Sequence, residues 1–205
     1  MTSVRGVITR SKIKDNPQLM LGDKLLFESI KEELLKLKNQ AVIDQAIWQQ
    51  FWDRLHNNEG LIRADNMPDH FSTFFLPLSM NHKLLYLGHH IKAQAWIPPG
   101  GHIEPGETPQ ETVRREFPEE LDYTLDAEET RFFDITITRI ERPKSPCKTH
   151  WDLWYLVKFN NSPEFKFDKR EFYQAGWFDK EKALELVRIV HCRRVVERVI
   201  GEFNL

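Results

Sequence analysis

Three glutamates, Glu116, Glu119 and Glu120, fall close together in the segment WIPPGGHIEPGETPQETVRREFPEELDY, which runs from Trp96 to Tyr123. On a helix, at about 100° per residue, they share an arc of roughly 100° beside an apolar stripe of Val113, Phe117 and Leu121. Like charges at this spacing repel by a few tenths of a kcal/mol in water, and by more where they are partly buried. They also gather toward the helix C-terminus, where the macrodipole disfavours anions. A divalent cation relieves both penalties, and hard carboxylate oxygens suit Mg²⁺ or Mn²⁺ better than Zn²⁺. A solvated acidic helix face has the same appearance, and the three glutamates alone favour that plainer role.

The surrounding residues specify how such a helix is set up. Pro98-Pro99-Gly100-Gly101 predicts a tight bend whose backbone can approach a ligand closely. Glu104-Pro105-Gly106 predicts a second turn. Thr108 as N-cap, Pro109 at the first helical position and Glu111 completing a capping box then start the helix.

The spacing goes further than the three glutamates. Gly101, five free positions, Glu107, seven free positions, Arg115-Glu116, the apolar Phe117, and Glu119-Glu120 resemble the signature box of the Nudix hydrolases. Asp122 stands where that box closes on glycine, and Pro118 occupies a free position inside the helix. Asp tolerates the left-handed conformation that a closing glycine supplies. Pro118 removes one helical hydrogen bond and predicts a kink between Glu116 and Glu119. The resemblance extends from about Gly60 to the C-terminus: Arg63, Asp69-His70-Phe71, His89-His90, Trp96 with Pro99-Gly100-Gly101-His102, His150-Trp151-Asp152-Leu153, and Glu171 ahead of Trp177-Phe178. The chain looks like a bacterial subgroup with a short helical N-terminal extension.

That resemblance implies an α+β fold, the Nudix α/β/α sandwich with a mixed β-sheet, carrying an N-terminal helical hairpin. It implies Glu116, Glu119 and Glu120 as Mg²⁺ ligands (Mn²⁺ as substitute), joined by the Gly100 carbonyl. Gly101 belongs to the same loop, and Glu107 pairs with Arg115 to hold that loop on the helix. Glu116, Glu119 and the loop residue Glu171 are the candidates for general base. His102, inside the box loop, is the histidine best placed to touch phosphate, whereas His70 reads as a hydrogen-bonded structural residue. The reaction implied is hydrolysis of a nucleoside diphosphate linked to another moiety. Two alternatives remain: a Nudix-fold binding module without hydrolysis, for which Pro118 and Asp122 speak, and a prenyl-diphosphate isomerase. The second lacks an evident cysteine near the box.

These residues need a scaffold. Asp23 can cap a helix with Leu26, Ile30, Leu34 and Leu37 on one face, and a second helix carries Ile43, Ile47, Phe51 and Leu55 up to Asn57-Asn58-Glu59-Gly60. This hairpin predicts packing on the main domain, with dimerisation or a pocket wall as sharper uses. Residues 1–22 read as an arm or an edge strand. From Phe71 the texture turns to strands: Phe71 to Ser79, Lys83 to Gly88, Trp96-Ile97, Phe132 to Arg139, Trp151 to Phe159 and Gly176 to Phe178, then one closing helix over Lys180 to Ile200. The expected division is 1–60 as arm and helical extension, and 61–205 as the Nudix domain.

Composition sets the outer bounds. With 29 basic against 31 acidic side chains in 205 residues, the chain lacks the basic excess that a nucleic-acid polymer calls for. The net charge of −2 conceals an acidic stretch from Glu104 to Glu129 opposed only by Arg114 and Arg115. That distribution points to a small phosphorylated partner carried by metal ions. Six Trp and 14 Phe argue for a packed core. Two cysteines, Cys147 and Cys192, make no disulfide framework, and no apolar run suits a signal peptide or a membrane span, so a cytoplasmic location is expected.

Overall fold

The computed structural model describes residues 17–57, 59–125 and 129–205. Two helices, α1 (Pro17–Leu37) and α2 (Gln45–His56), precede strands β1 (Asp69–Ser79), β2 (Leu84–His90), β3 (Ala95–Ile97) and β4 (Gly100–His102). Helix α3 (Pro109–Leu121), strands β5 (Glu129–Arg139), β6 (Thr149–Phe159) and β7 (Phe172–Phe178), and helices α4 (Lys180–Leu186) and α5 (Val190–Phe203) follow. The sheet runs β3-β2-β1-β6-β5, with β4 added on β1 and β7 on β2. β1 and β6 pair in parallel along their whole length and the other pairs are antiparallel, so the sheet is mixed, as expected.

A strand sends alternate side chains to opposite faces, and both faces here are covered. Phe71 and Phe75 of β1 join Trp151, Leu153 and Tyr155 of β6 in a core closed by α1, α2 and α3. Leu76 and Leu78 join Trp154 and Leu156 in a second core closed by α4 and α5. This is the α/β/α sandwich. The predicted stripe Leu26, Ile30, Leu34 and Leu37 lies in the first core with Trp48, Phe51 and Leu55 of α2, so the hairpin packs on the domain. Trp48 Nε1 donates to the Leu34 carbonyl at 2.8 Å, and buried Arg54 reaches the Gly60 and Asp69 carbonyls at 2.7 and 2.9 Å.

Four sequence expectations change. Helix α1 begins at Pro17, so Asp23 lies inside it and caps nothing; Asp44 caps α2 instead, accepting from Ala46 and Ile47. The expected arm over 1–22 is helical from Pro17, and 1–16 lie outside the described residues. The closing helix is two. Ala183 and Val187 form one buried stripe; Cys192, Val195, Val196 and Val199 form another. Five residues separate Val187 from Cys192, which rotates the second stripe by roughly 140° on a continuous helix. Extended backbone at Val187 and Ile189 resets the phase so that both stripes reach the sheet. Finally, Gly100–His102 is a strand where a bend was expected.

Helix α5 is fastened to the sheet by charge. Asp134 of β5 is fully buried and accepts from Arg194 Nη2 at 3.0 Å and Arg198 Nη1 at 2.9 Å. Removing one partner of a buried pair strands the other's charge. Asp134→Ala should therefore lower stability by about 3–5 kcal/mol, read as a shift in the denaturant midpoint at unchanged slope.

Candidate active site

Strand β4 and helix α3 bring the candidate residues together. Thr108 caps α3, with its hydroxyl accepting from Glu111 N–H at 3.3 Å and its own N–H donating to Glu111 Oε2 at 2.8 Å. Gly106 has φ +88°, the left-handed turn residue that lets the loop fold back before the cap. At the other end Asp122 adopts the left-handed conformation (φ 50°, ψ 41°), doing the work of the closing glycine. Helix α3 stays continuous through Pro118.

Gly100 and Gly101 have no positive φ. Close approach explains them instead. A Cβ on Gly100 would stand 2.2 Å from the Thr73 carbonyl oxygen, and one on Gly101 would stand 1.9 Å from Glu116 Oε1. The two glycines thus admit β1 on one side and a carboxylate on the other. Glu120, only 5% exposed, accepts from the Gly100 N–H at 2.9 Å.

Arg115 ties the loop to the helix as the resemblance implies. Its Nε and Nη2 donate to Glu107 at 2.6 and 3.1 Å, Nη1 donates to Glu116 at 2.8 Å and to Glu119 at 3.3 Å, and Nη2 donates to the His102 carbonyl at 3.0 Å. Burial alone would raise the Glu107 pKa, but Arg115, the Glu104 N–H and the Thr112 hydroxyl together hold it below the usual carboxylate value. Glu116 goes the other way. Burial raises it, Glu119 and Glu107 add to the rise, and Arg115 offsets only part. Burial first, then the Glu116 charge and Glu171, push Glu120 well above the ordinary range, against the Gly100 N–H and Lys92. Two carboxylates whose charged forms are disfavoured by burial and by each other, set against a glycine backbone, fit a hard divalent cation, which would supply the missing positive charge. Glu119 sits at the outer edge, its side chain 57% exposed.

Glu171 comes from far along the chain. The Asp168 N–H donates to the Glu120 carbonyl at 2.7 Å, and Glu171 N–H to the Asp168 carbonyl at 3.1 Å, which pins this loop on the C-terminus of α3. Both Glu171 carboxylate oxygens are held by Lys92 Nζ at 2.9 Å, a partner that sequence reasoning missed because it lies 79 positions away. His102 divides its groups. Its carbonyl serves Arg115, while its ring stands among His70 and His150 with centroids 5.0 and 5.1 Å away. His70 makes the structural hydrogen bond expected of it, to the Asn66 carbonyl at 3.0 Å. Cys147 also lies within 4.8 Å of the His102, His70 and His150 ligand atoms, a possible metal-ligand group that was not foreseen. Its one local signal is the spacing Cys147-x-x-His150. The expected absence of a cysteine near the box therefore needs correcting. His102 is the register partner of Ser72, so its ring shares the face of Ser72 and His70, whereas the neighbouring Gly101 faces α3.

The NUDIX domain family model matches residues 69–197. Among solved structures, the E. coli dihydroneopterin triphosphate pyrophosphohydrolase superposes with a TM-score of 0.55 at 17% identity, covering 64% of this chain and 95% of that one. A MutT protein from Bacillus halodurans gives 0.52 at 22% identity, covering 63% and 81%, and a C. elegans Ap4A hydrolase gives 0.51 at 19%, covering 65% and 97%. At these identities the likeness is one of fold. No curated protein sequence matches the chain. Fold and family match define the class: an enzyme that hydrolyses phosphoric anhydrides. The chain belongs to the Nudix hydrolase family. Among the described residues no helix is long and apolar enough to cross a membrane.

Proposed function

We propose that the protein is a Mg²⁺-dependent pyrophosphohydrolase (Mn²⁺ serving as substitute) that cleaves the diphosphate linkage of a nucleoside diphosphate joined to another moiety. The observation that carries this reading is the pair of buried Glu120 and part-buried Glu116 set against the Gly100-Gly101 backbone. Glu116, Glu119 and Glu120, with the Gly100 carbonyl, are the residues that would hold the ion. Bound there, Mg²⁺ would neutralise the diphosphate charge and lower the pKa of the attacking water.

The chain's own groups do the positioning. Arg115 fixes Glu116 and Glu119 and, through Glu107 and the His102 carbonyl, locks the loop against the helix. Glu116, whose pKa burial raises above the ordinary carboxylate value, is the better suited of the box glutamates to accept a proton. Glu171 is the second candidate base, and it must first be released by Lys92. The two departures from the family box remove no candidate ligand, because α3 is continuous and Asp122 takes the left-handed conformation. The division into 1–60 and 61–205 is proposed with it, α1 and α2 of the first part bracing the sheet face on which α3 packs.

A panel of dinucleoside polyphosphates, nucleotide sugars and nucleoside triphosphates, incubated with the protein and Mg²⁺ or Mn²⁺, tests the reading. Release of two phosphorylated products from one class supports it. Tight binding with no product under either metal would replace it with the binding module.

A further inference from the structure

Four ligating side chains converge on the sheet face away from α3. His70 of β1, His102 of β4, Cys147 and His150 of β6 bring one ring nitrogen each and the cysteine sulfur within 4.8 Å of one another. The sheet builds this directly. His70 is the register partner of His150 across the parallel pair, and His102 opposes Ser72, two residues along and on the same face. The three rings form a near-equilateral triangle with centroids 4.8, 5.0 and 5.1 Å apart. Cys147, itself buried, enters from the loop before β6, which is anchored where Lys148 and Thr149 N–H groups donate to the Pro68 carbonyl at 2.8 and 2.9 Å.

A second observation points to a ligand. The Nε2 atoms of His70, His102 and His150 are all buried with no hydrogen-bond partner among the described residues, and His70 is fully buried. The Asn66 carbonyl can only accept, so His70 Nδ1 carries the proton and its Nε2 carries a lone pair. Buried ring nitrogens are seldom left without a partner, and three at one point are rarer still. Neutral imidazole, the form that such burial favours, is the form that ligates.

We propose that His70, His102, Cys147 and His150 form a closed, four-ligand Zn²⁺ site with a structural role, separate from the carboxylate site. Zinc bonds of about 2.0–2.1 Å to imidazole and about 2.3 Å to thiolate set tetrahedral ligand atoms roughly 3.3–3.6 Å apart. The four side chains thus draw in by about an ångström on binding. Three Zn–N bonds and one Zn–S bond form, and the Cys147 thiol proton leaves to solvent. Imidazole and thiolate select Zn²⁺, while the carboxylates select Mg²⁺, so the two sites do not compete. The ion fastens β1, β4 and β6 at the strand that carries Gly100 and Gly101. His102 is held from both sides, its ring by the ion and its carbonyl by Arg115.

The full-length protein, stripped with chelator and titrated with Zn²⁺, should retain one ion per chain through gel filtration. Co²⁺ in its place should show the intense visible bands of a tetrahedral site and a near-ultraviolet thiolate charge-transfer band. Cys147→Ser should lose that band and, like His150→Gln, hold Zn²⁺ at least about tenfold more weakly. Glu120→Gln should retain Zn²⁺ fully, which separates this site from the carboxylates. If the Cys147 variant does not fold, alkylation of the native protein decides: Zn²⁺ should slow modification of Cys147 at least about tenfold. No retained Zn²⁺, a Co²⁺ spectrum without the charge-transfer band, or equal alkylation rates with and without Zn²⁺ would overturn the proposal.

Discussion

Glu120→Gln should reduce kcat/KM by roughly 10²–10³-fold or more and leave the metal-free protein at least as stable as the parent. The two effects have one cause. Glu120 is 5% exposed, beside the Glu116 carboxylate, with one hydrogen bond from the Gly100 N–H to offset its charge. Glutamine keeps the shape and the accepting oxygen while removing the charge, so the fold loses a penalty and the proposed cation site loses a ligand. Its pKa stands above the ordinary 4.5, so between that value and the raised one the native state holds a proton that the unfolded chain has released. In the presence of chelator the parent therefore loses stability as pH rises through that window, and the variant lacks this slope. Thermal melts across pH and turnover under Mg²⁺ read the two effects separately. Parental turnover in the variant would remove Glu120 from the metal site.

How much of this was legible depended on how local the determinants are. Helix α3 could be read to the residue because Thr108, Pro109 and Glu111 settle its start among themselves, and Asp122 its end. The sandwich came with the family resemblance; its physical basis is that β1 and β6 carry apolar residues on both faces, a pattern that only a doubly covered strand tolerates. Strand β4 was not legible. Pro-Pro-Gly-Gly carries turn chemistry, and its extended form is imposed by pairing with residues 72–74 of β1. The Lys92 clamp on Glu171 and the His70, His102, Cys147 and His150 group share that difficulty, since each joins residues that only the sheet register makes neighbours. The same register explains the division of labour around β4. Alternation sends the His102 ring to one face and leaves Gly101 open toward α3, so adjacent residues serve two different sites.

Gly101→Ala and Gly100→Ala should fail in opposite ways. At Gly101 the new methyl group meets Glu116 Oε1 at 1.9 Å, Cδ at 2.2 Å and Cγ at 2.8 Å, all atoms of one flexible side chain. Glu116 can swing aside at little cost, so the fold should survive with a loss of under about 1 kcal/mol. The carboxylate, however, leaves its place, and a displacement of an ångström in a catalytic group can cost about 100-fold in rate. At Gly100 the methyl group meets the Thr73 carbonyl oxygen at 2.2 Å and the Phe74 Cα at 2.9 Å, which are backbone atoms of a central strand. They cannot step aside without parting β4 from β1. That variant should lose about 1–3 kcal/mol or more of stability, because overpacking has no flexible neighbour to absorb it. Denaturation midpoints set beside kcat/KM for both proteins make the comparison. A Gly101 variant of full activity would mean that Glu116 is dispensable where it stands. Equal destabilisation of both would mean that Gly101, too, is there for the strand and not for the carboxylate.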